Sequence, residues 1–181
     1  MRVEEAKGAR RVGMKDHFRR FARYNRWANN RLYEAVGALD ADAFRAPRSG
    51  FFGSLCGTLN HLYVADRCWL ARFEGIAVPH RTLDEQPYPL FPHLRAAREV
   101  EDARIIRLMD EAAADWLGGL LQYKRMVDGQ DASMPMELAL VHFFNHQTHH
   151  RGQAHAMLSA TAVAPPCLDF SNFLMEEKPN G

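Results

Sequence analysis

Four segments of this chain carry apolar residues at spacings of three and four, and this pattern constrains the fold more than any other feature of the sequence. The spacing places the apolar side chains on one face of an α-helix, and such a helix must bury that face against a neighbour. The four segments cover roughly residues 16–39, 54–74, 93–118 and 133–160. The sequence therefore predicts an all-α fold in which four amphipathic helices form a bundle.

The connections between the predicted helices differ in character. The stretch between the second and third helices contains four prolines, Pro79, Pro87, Pro89 and Pro92. These prolines forbid a regular helix, but a crossover of this length can run from one end of a bundle to the other. Residues 121–127, followed by Asp128-Gly129, fit a short hairpin and an irregular loop equally well. Pro165-Pro166 ends the fourth helix, and a short final helix is expected near residues 169–175.

Length and composition limit the class of protein. A chain of 181 residues fits one domain, which we place at residues 14–181, after a charged tail at residues 1–13. A net charge of +1 lacks the basic excess of a nucleic-acid binder. Since no apolar run approaches a membrane span and no signal peptide is evident, we expect a cytoplasmic protein without a membrane partner. The three cysteines fit neither a disulfide framework nor a zinc knuckle.

Four histidines lie within nine residues of the fourth predicted helix. His146 and His150 are one turn apart and differ by about 40° around the helix axis, so both rings can bind one small cation. His142 and His149 lie at the edges of the same stripe. Because four imidazoles on one arc are unusual, this stretch predicts a metal site.

Two histidines are an incomplete site, because a catalytic zinc usually has three protein ligands. His61 is the best candidate for the third, since it lies in the middle of the second predicted helix. It falls at the edge of the apolar face, so a half-exposed histidine that binds nothing is the competing interpretation. Asp66 falls inside that face and needs a partner. An ion pair, for instance with Arg31 or Arg151, and support of a metal-bound histidine or a general base both remain open.

Several other catalytic motifs are excluded by reading the residues. Gln147 follows His146 where the zinc-protease motif HExxH requires glutamate. No glutamate has a histidine three residues later, which excludes the paired Glu-x-x-His elements of di-iron bundles. The chain also lacks the G-x-S-x-G elbow of serine hydrolases and a phosphate-binding G-x-x-x-x-G-K loop.

Three motifs resemble the DinB-like family, and the resemblance spans about residues 14–174. The motifs are Tyr24-Asn25-Arg26-Trp27-Ala28-Asn29, Leu59-Asn60-His61-Leu62-Tyr63-Val64-Ala65-Asp66, and Asn145-His146-Gln147-Thr148-His149-His150-Arg151-Gly152-Gln153, with a terminal Leu168-Asp169 in further agreement. The resemblance implies a four-helix bundle of unusual connectivity that binds a divalent metal. It implies His61, His146 and His150 as the ligands, with His149, His142 and Asp66 in supporting positions.

The resemblance leaves the reaction open. Related bundles include thiol-dependent S-transferases, in which the metal activates a low-molecular-weight thiol, and metal-dependent hydrolases. Our leading hypothesis is an enzyme with zinc or nickel at the three histidines, acting on a small-molecule substrate and activating a thiol in preference to water. The preference for a thiol rests on the lack of a carboxylate in the histidine stretch, although Asp66 or Asp169 could supply one.

The alternatives are a non-catalytic stress-related or binding protein with a structural metal, and a bundle without metal. A homodimer is also expected from the resemblance.

Overall fold

The computed structural model of the protein describes residues 13–177. Within this range the chain forms seven helices and one two-stranded antiparallel sheet. The helices are α1 (Met14–Val36), α2 (Ala41–Arg45), α3 (Leu55–Phe73), α4 (Phe91–Glu111), α5 (Ala114–Leu117), α6 (Met136–Leu158) and α7 (Phe170–Glu176). The strands are β1 (Leu120–Lys124) and β2 (Asp131–Pro135).

The fold is thus mostly helical, as predicted, and the sheet corrects the all-α prediction. The predicted tail lies outside the described residues, apart from Gly13.

Four long helices build the body of the molecule. Helix α1 packs against α4 and α6, and α3 packs against the same two helices. Ser54 caps the start of α3, because its hydroxyl accepts a hydrogen bond from the backbone N–H of Gly57 at 2.9 Å. No helix within residues 13–177 is long and apolar enough to cross a membrane.

The structure decides between the two interpretations of residues 121–127 in favour of a hairpin. Leu120 pairs with Pro135 and Lys124 with Asp131, so Ser133 lies in a strand and does not open the helix that follows. Gly129 adopts a φ of 70° in the connecting turn, a conformation that glycine adopts without steric cost. Helix α6 consequently begins at Met136, three residues later than Ser133, the predicted start.

The third predicted helix is interrupted. Helix α4 ends at Glu111, and Ala112 and Ala113 leave the helical conformation, with ψ angles of 123° and 158°, before α5 begins. Alanine favours helix, so local propensity does not explain the break. The break redirects the chain so that Leu117 is buried in the apolar cluster that includes Phe143 of α6.

A buried polar layer crosses the middle of the four long helices. One apolar cluster lies on the side of Leu32 and Leu94, and a second lies on the side of Phe18 and Ile105. Every long helix contributes polar side chains between the two clusters, namely Asn25, Asn29, Asp66, Arg98, Asp102, Gln147 and Arg151. These side chains bond mainly to one another, which offsets part of the cost of burying them, although Asp66 Oδ1 and Gln147 Oε1 have no hydrogen-bond partner among the described residues.

Candidate metal centre

Three histidine side chains from two helices meet beside the polar layer. His61 lies in the middle of α3, and His146 and His150 lie one turn apart on α6. The Nε2 atom of His61 is 3.2 Å from Nε2 of His146 and 3.2 Å from Nε2 of His150. The candidate ligand atoms all lie within 4.8 Å of one another. The packing of α3 on α6 therefore brings together the three histidines singled out in the sequence.

Hydrogen bonds orient two of the three imidazole rings. The backbone carbonyl of Leu83 lies 2.8 Å from His61 Nδ1, and the side-chain oxygen of Gln153 lies 2.8 Å from His150 Nδ1. Both oxygens accept, so each Nδ1 carries a proton and each Nε2 of the neutral ring presents a lone pair. Two lone pairs that face each other at 3.2 Å repel unless a cation or a proton lies between them.

Burial keeps the rings neutral. It is the largest cause that lowers the pKa of His61 to about 4 and the pKa of His146 to about 3. Burial also lowers the pKa of His150. His61 is only 4% exposed, although its position at the edge of the apolar face allowed a half-exposed side chain. Neutral rings with free lone pairs at neutral pH are the form in which histidine binds metal.

The spacing of the nitrogen atoms fits a metal ion. Zinc binds histidine nitrogen at roughly 2.0–2.1 Å with tetrahedral angles, which separates two ligand nitrogens by roughly 3.3–3.4 Å. The two Nε2 distances of 3.2 Å from His61 are close to this value. Across residues 13–177, no second group of His, Cys, Asp or Glu side chains is arranged closely enough to hold a metal ion.

The predicted partner of Asp66 is corrected. Asp66 is 1% exposed, and its Oδ2 accepts hydrogen bonds from Arg98 at 2.5 Å and from Gln147 at 3.0 Å. Arg31 instead forms an ion pair with Glu176 on the surface. Arg151 donates to Asn25 and Asn29. Asp66 thus belongs to the polar layer, and α4 supplies its cationic partner.

The two remaining histidines of the α6 stretch are exposed. The ring of His142 lies 6.0 Å from that of His146 and 4.9 Å from that of Trp69. His149 Nε2 accepts a hydrogen bond from Gln153 at 3.1 Å, and Gln153 in turn contacts His150. His149 is therefore linked to the ligand candidate His150 by hydrogen bonds through Gln153. His142 lies beside the cluster, next to His146 on α6.

Three groups around the cluster were not predicted. They are the Leu83 carbonyl, Gln153 and the ring of Phe52. The Phe52 ring stacks on His61 with 3.9 Å between centroids and 17° between planes. Gln153 could have been found, because it lies three residues after His150 on the same helix. A backbone carbonyl and an aromatic ring from loops leave no such signal in the sequence.

The protein is mostly helical, and three of its histidines converge between α3 and α6 in an arrangement that could hold a metal ion. Comparison with known proteins agrees with the family resemblance seen in the sequence. Residues 14–180 match the DinB family, and the chain belongs to that family. It is similar to Protein DinB of Bacillus subtilis (strain 168), with 25% identity over 170 residues that cover 91% of this chain and 98% of the relative.

Proposed function

We propose that the protein is a metal-dependent enzyme that binds one zinc or nickel ion through His61, His146 and His150 and uses it to activate a thiol. The convergence of three Nε2 atoms carries the proposal. A set of three protein ligands is typical of catalytic sites, which keep a further position for water or substrate. When bound, such an ion lowers the pKa of the thiol or water that it carries.

The surrounding residues prepare the three rings for this role. The Leu83 carbonyl holds the proton of His61 on Nδ1, and Gln153 does the same for His150. Phe52 covers one face of the His61 ring and shields that face from solvent. Groups that fix the tautomer of a ligating histidine commonly change metal affinity by about 10- to 100-fold when they are removed.

A thiol is favoured over water because no carboxylate belongs to the cluster within the described residues. Activation of water usually requires a general base within hydrogen-bond reach. Asp66, the predicted candidate, is buried in the polar layer, where its Oδ2 accepts hydrogen bonds from Arg98 and Gln147, and it does not belong to the histidine cluster. Asp169, the other candidate, lies at the start of α7 and borders a different cavity, with Tyr24 and Arg151. A metal-dependent hydrolase is accordingly the weaker alternative.

The first experiment measures metal content by elemental analysis after purification and after loading with zinc or nickel. We expect about one ion per chain in the parent protein, and loss of the ion in His61→Ala and His150→Ala. His93→Ala is the matched control, because it removes an exposed histidine of α4, a helix that carries none of the three candidate ligands. A parent protein that refuses both metals, or variants that keep full occupancy, would overturn the proposal.

Catalysis is tested by supplying the loaded protein with low-molecular-weight thiols and electrophiles and following loss of free thiol. Turnover should disappear in His150→Ala and persist in His93→Ala. The second candidate function is a non-catalytic protein with a structural ion. That candidate predicts cooperative unfolding on chelation and no exchangeable position at the metal.

Three further proposals rest on the packing, on the family resemblance and on the sequence. Helices α1, α3, α4 and α6 form the predicted four-helix bundle, with residues 74–90 as the long crossover, and their mutual contacts support this arrangement. Homodimerisation and a cytoplasmic location stay predictions, to be checked by light scattering and by fractionation.

A further inference from the structure

A row of aromatic rings leads away from the histidine cluster along α3 and α6. The ring of His142 lies 6.0 Å from His146, and the ring of Trp69 lies 4.9 Å beyond it. Tyr123 of β1 continues the row, at 5.6 Å from Trp69. His142 is exposed and the other two rings are partly exposed, so the row forms a surface that begins at the candidate metal centre.

Arg72 lies at the far end of this row. Its guanidinium carbon is 4.6 Å from the centroid of Trp69 and 4.9 Å from that of Tyr123, so the cation stacks on both rings. Its one hydrogen bond within residues 13–177 is a long contact of 3.4 Å to the Lys124 carbonyl. Over the same residues, no carboxylate lies within 4.0 Å of it. Arg72 is therefore a partly buried cation without a counter-charge.

This arrangement is suited to binding an anion. A guanidinium that is stacked on aromatic rings has little conformational freedom left to lose, and its edge still offers donors to a planar acid. Burying a charge without a partner is costly, and a bound carboxylate would offset that cost. The neighbouring side chains do not compete, because Lys124 is neutralised by Asp131 at 2.7 Å.

We propose that Arg72 is the specificity-determining end of the substrate site and takes the carboxylate of a thiol whose sulfur lies at the histidine cluster. This inference rests on the proposed function and names its substrate class, which is an extended thiol with a terminal carboxylate. Arg72 follows His61 by eleven residues on α3, an axial rise of about 16 Å. The rings of His142 and Trp69 lie between the histidine cluster and the guanidinium, so a thiol that reaches both must extend along them.

The test compares acid and alcohol forms of thiols of equal length. The probes are mercaptooctanoate, mercaptoundecanoate and mercaptopropionate, each against the matching alcohol. Binding is measured by the thiolate absorption of cobalt-loaded protein and by calorimetry of metal-free protein. We expect the parent to favour the longer acids by about tenfold, as charge-assisted hydrogen bonds to arginine would give. Mercaptopropionate should show no such preference.

Arg72→Gln should reduce the preference for the longer acids to within about twofold while metal occupancy is unchanged. Arg72→Lys should retain part of it, and Arg107→Gln, which removes an exposed cation of α4, should leave it intact. Equal binding of acid and alcohol by the parent, with and without metal, would overturn the role of Arg72 and leave the metal proposal standing. If no metal binds but the metal-free protein keeps an Arg72-dependent preference for the longer acids, the proposed function fails and the anion site remains.

Discussion

Gln147 donates a hydrogen bond to Asp66 across the interface between α3 and α6, with 3.0 Å between Nε2 and Oδ2. Gln147 follows His146 directly, and Asp66 lies five residues after His61. The polar layer is therefore tied to the same two helices that carry the histidine cluster. Changes in this layer should affect the stability of the fold first and the site only through the spacing of the helices.

Replacement of Arg98 by Met should destabilise the protein by about 3–5 kcal/mol, because it leaves buried carboxylates without their cation. Arg98 bonds to Asp66 at 2.5 Å and lies 3.1 Å from Asp102 Oδ1. The measurement is chemical denaturation of the metal-free protein. Arg107→Met removes an exposed arginine of the same helix and should change the free energy of unfolding by less than about 0.5 kcal/mol. Similar losses in both variants would contradict the structural role assigned to the layer.

Replacement of Phe52 by Ala should weaken zinc binding by roughly three- to tenfold, since stacked aromatic pairs contribute about 0.5–1.5 kcal/mol. Phe52 stacks on His61, whereas its neighbour Phe51 is 88% exposed. Phe51→Ala is thus a control of equal size change. Competition with a chromogenic chelator measures both affinities, and an unaltered affinity in Phe52→Ala would show that the stacking does not hold the ring in its binding orientation.

The metal-free protein should lose stability as the pH falls from about 6.5 toward 4. The pKa values of His61 and His146 are lowered by burial to about 4 and about 3, so in this range the unfolded chain binds protons that the folded chain does not. Each histidine contributes up to about 1.4 kcal/mol per pH unit. Burial raises the pKa of Asp66 to about 6, which acts in the opposite sense. A His61→Gln, His146→Gln double variant isolates the histidines and should show a flatter dependence in urea titrations.

Cys167 should be the reactive cysteine of the native protein. Cys56 and Cys68 are 3% and 1% exposed, and burial raises the pKa of both thiols, that of Cys68 to about 11. Cys167 is exposed. Since the thiolate is the reacting form, N-ethylmaleimide at neutral pH should add once to the folded parent and not at all to Cys167→Ser. Three additions to native protein, seen by mass spectrometry, would refute this.

The sequence predicted the elements that depend on helical periodicity. Ser54 and the apolar spacing that follows it located α3, and the pair His146 and His150 was placed on one face of α6 by a single turn of separation. These features depend on residues that are close in the chain. The short helix α2 was missed because five residues are too few to show a period, although Asp40 caps it.

Contacts between distant segments were harder to predict. Arg98 and Asp66 are 32 residues apart, and nothing in either segment indicates that α4 faces α3 at that level. The break at Ala112 and Ala113 serves the burial of Leu117, which propensity cannot reveal. His61 was ambiguous for the same reason, since its burial depends on the position of α6.

His61 and His146 are 85 residues apart in the chain. An ion bound by both would act as a removable cross-link that closes a loop of nearly half the protein. Because an unfolded chain rarely brings such distant points together, the ion would select the docked arrangement of α3 and α6. The zinc affinity of the protein, measured by competition with a chelator, would then report the fraction of molecules in which α3 and α6 are docked.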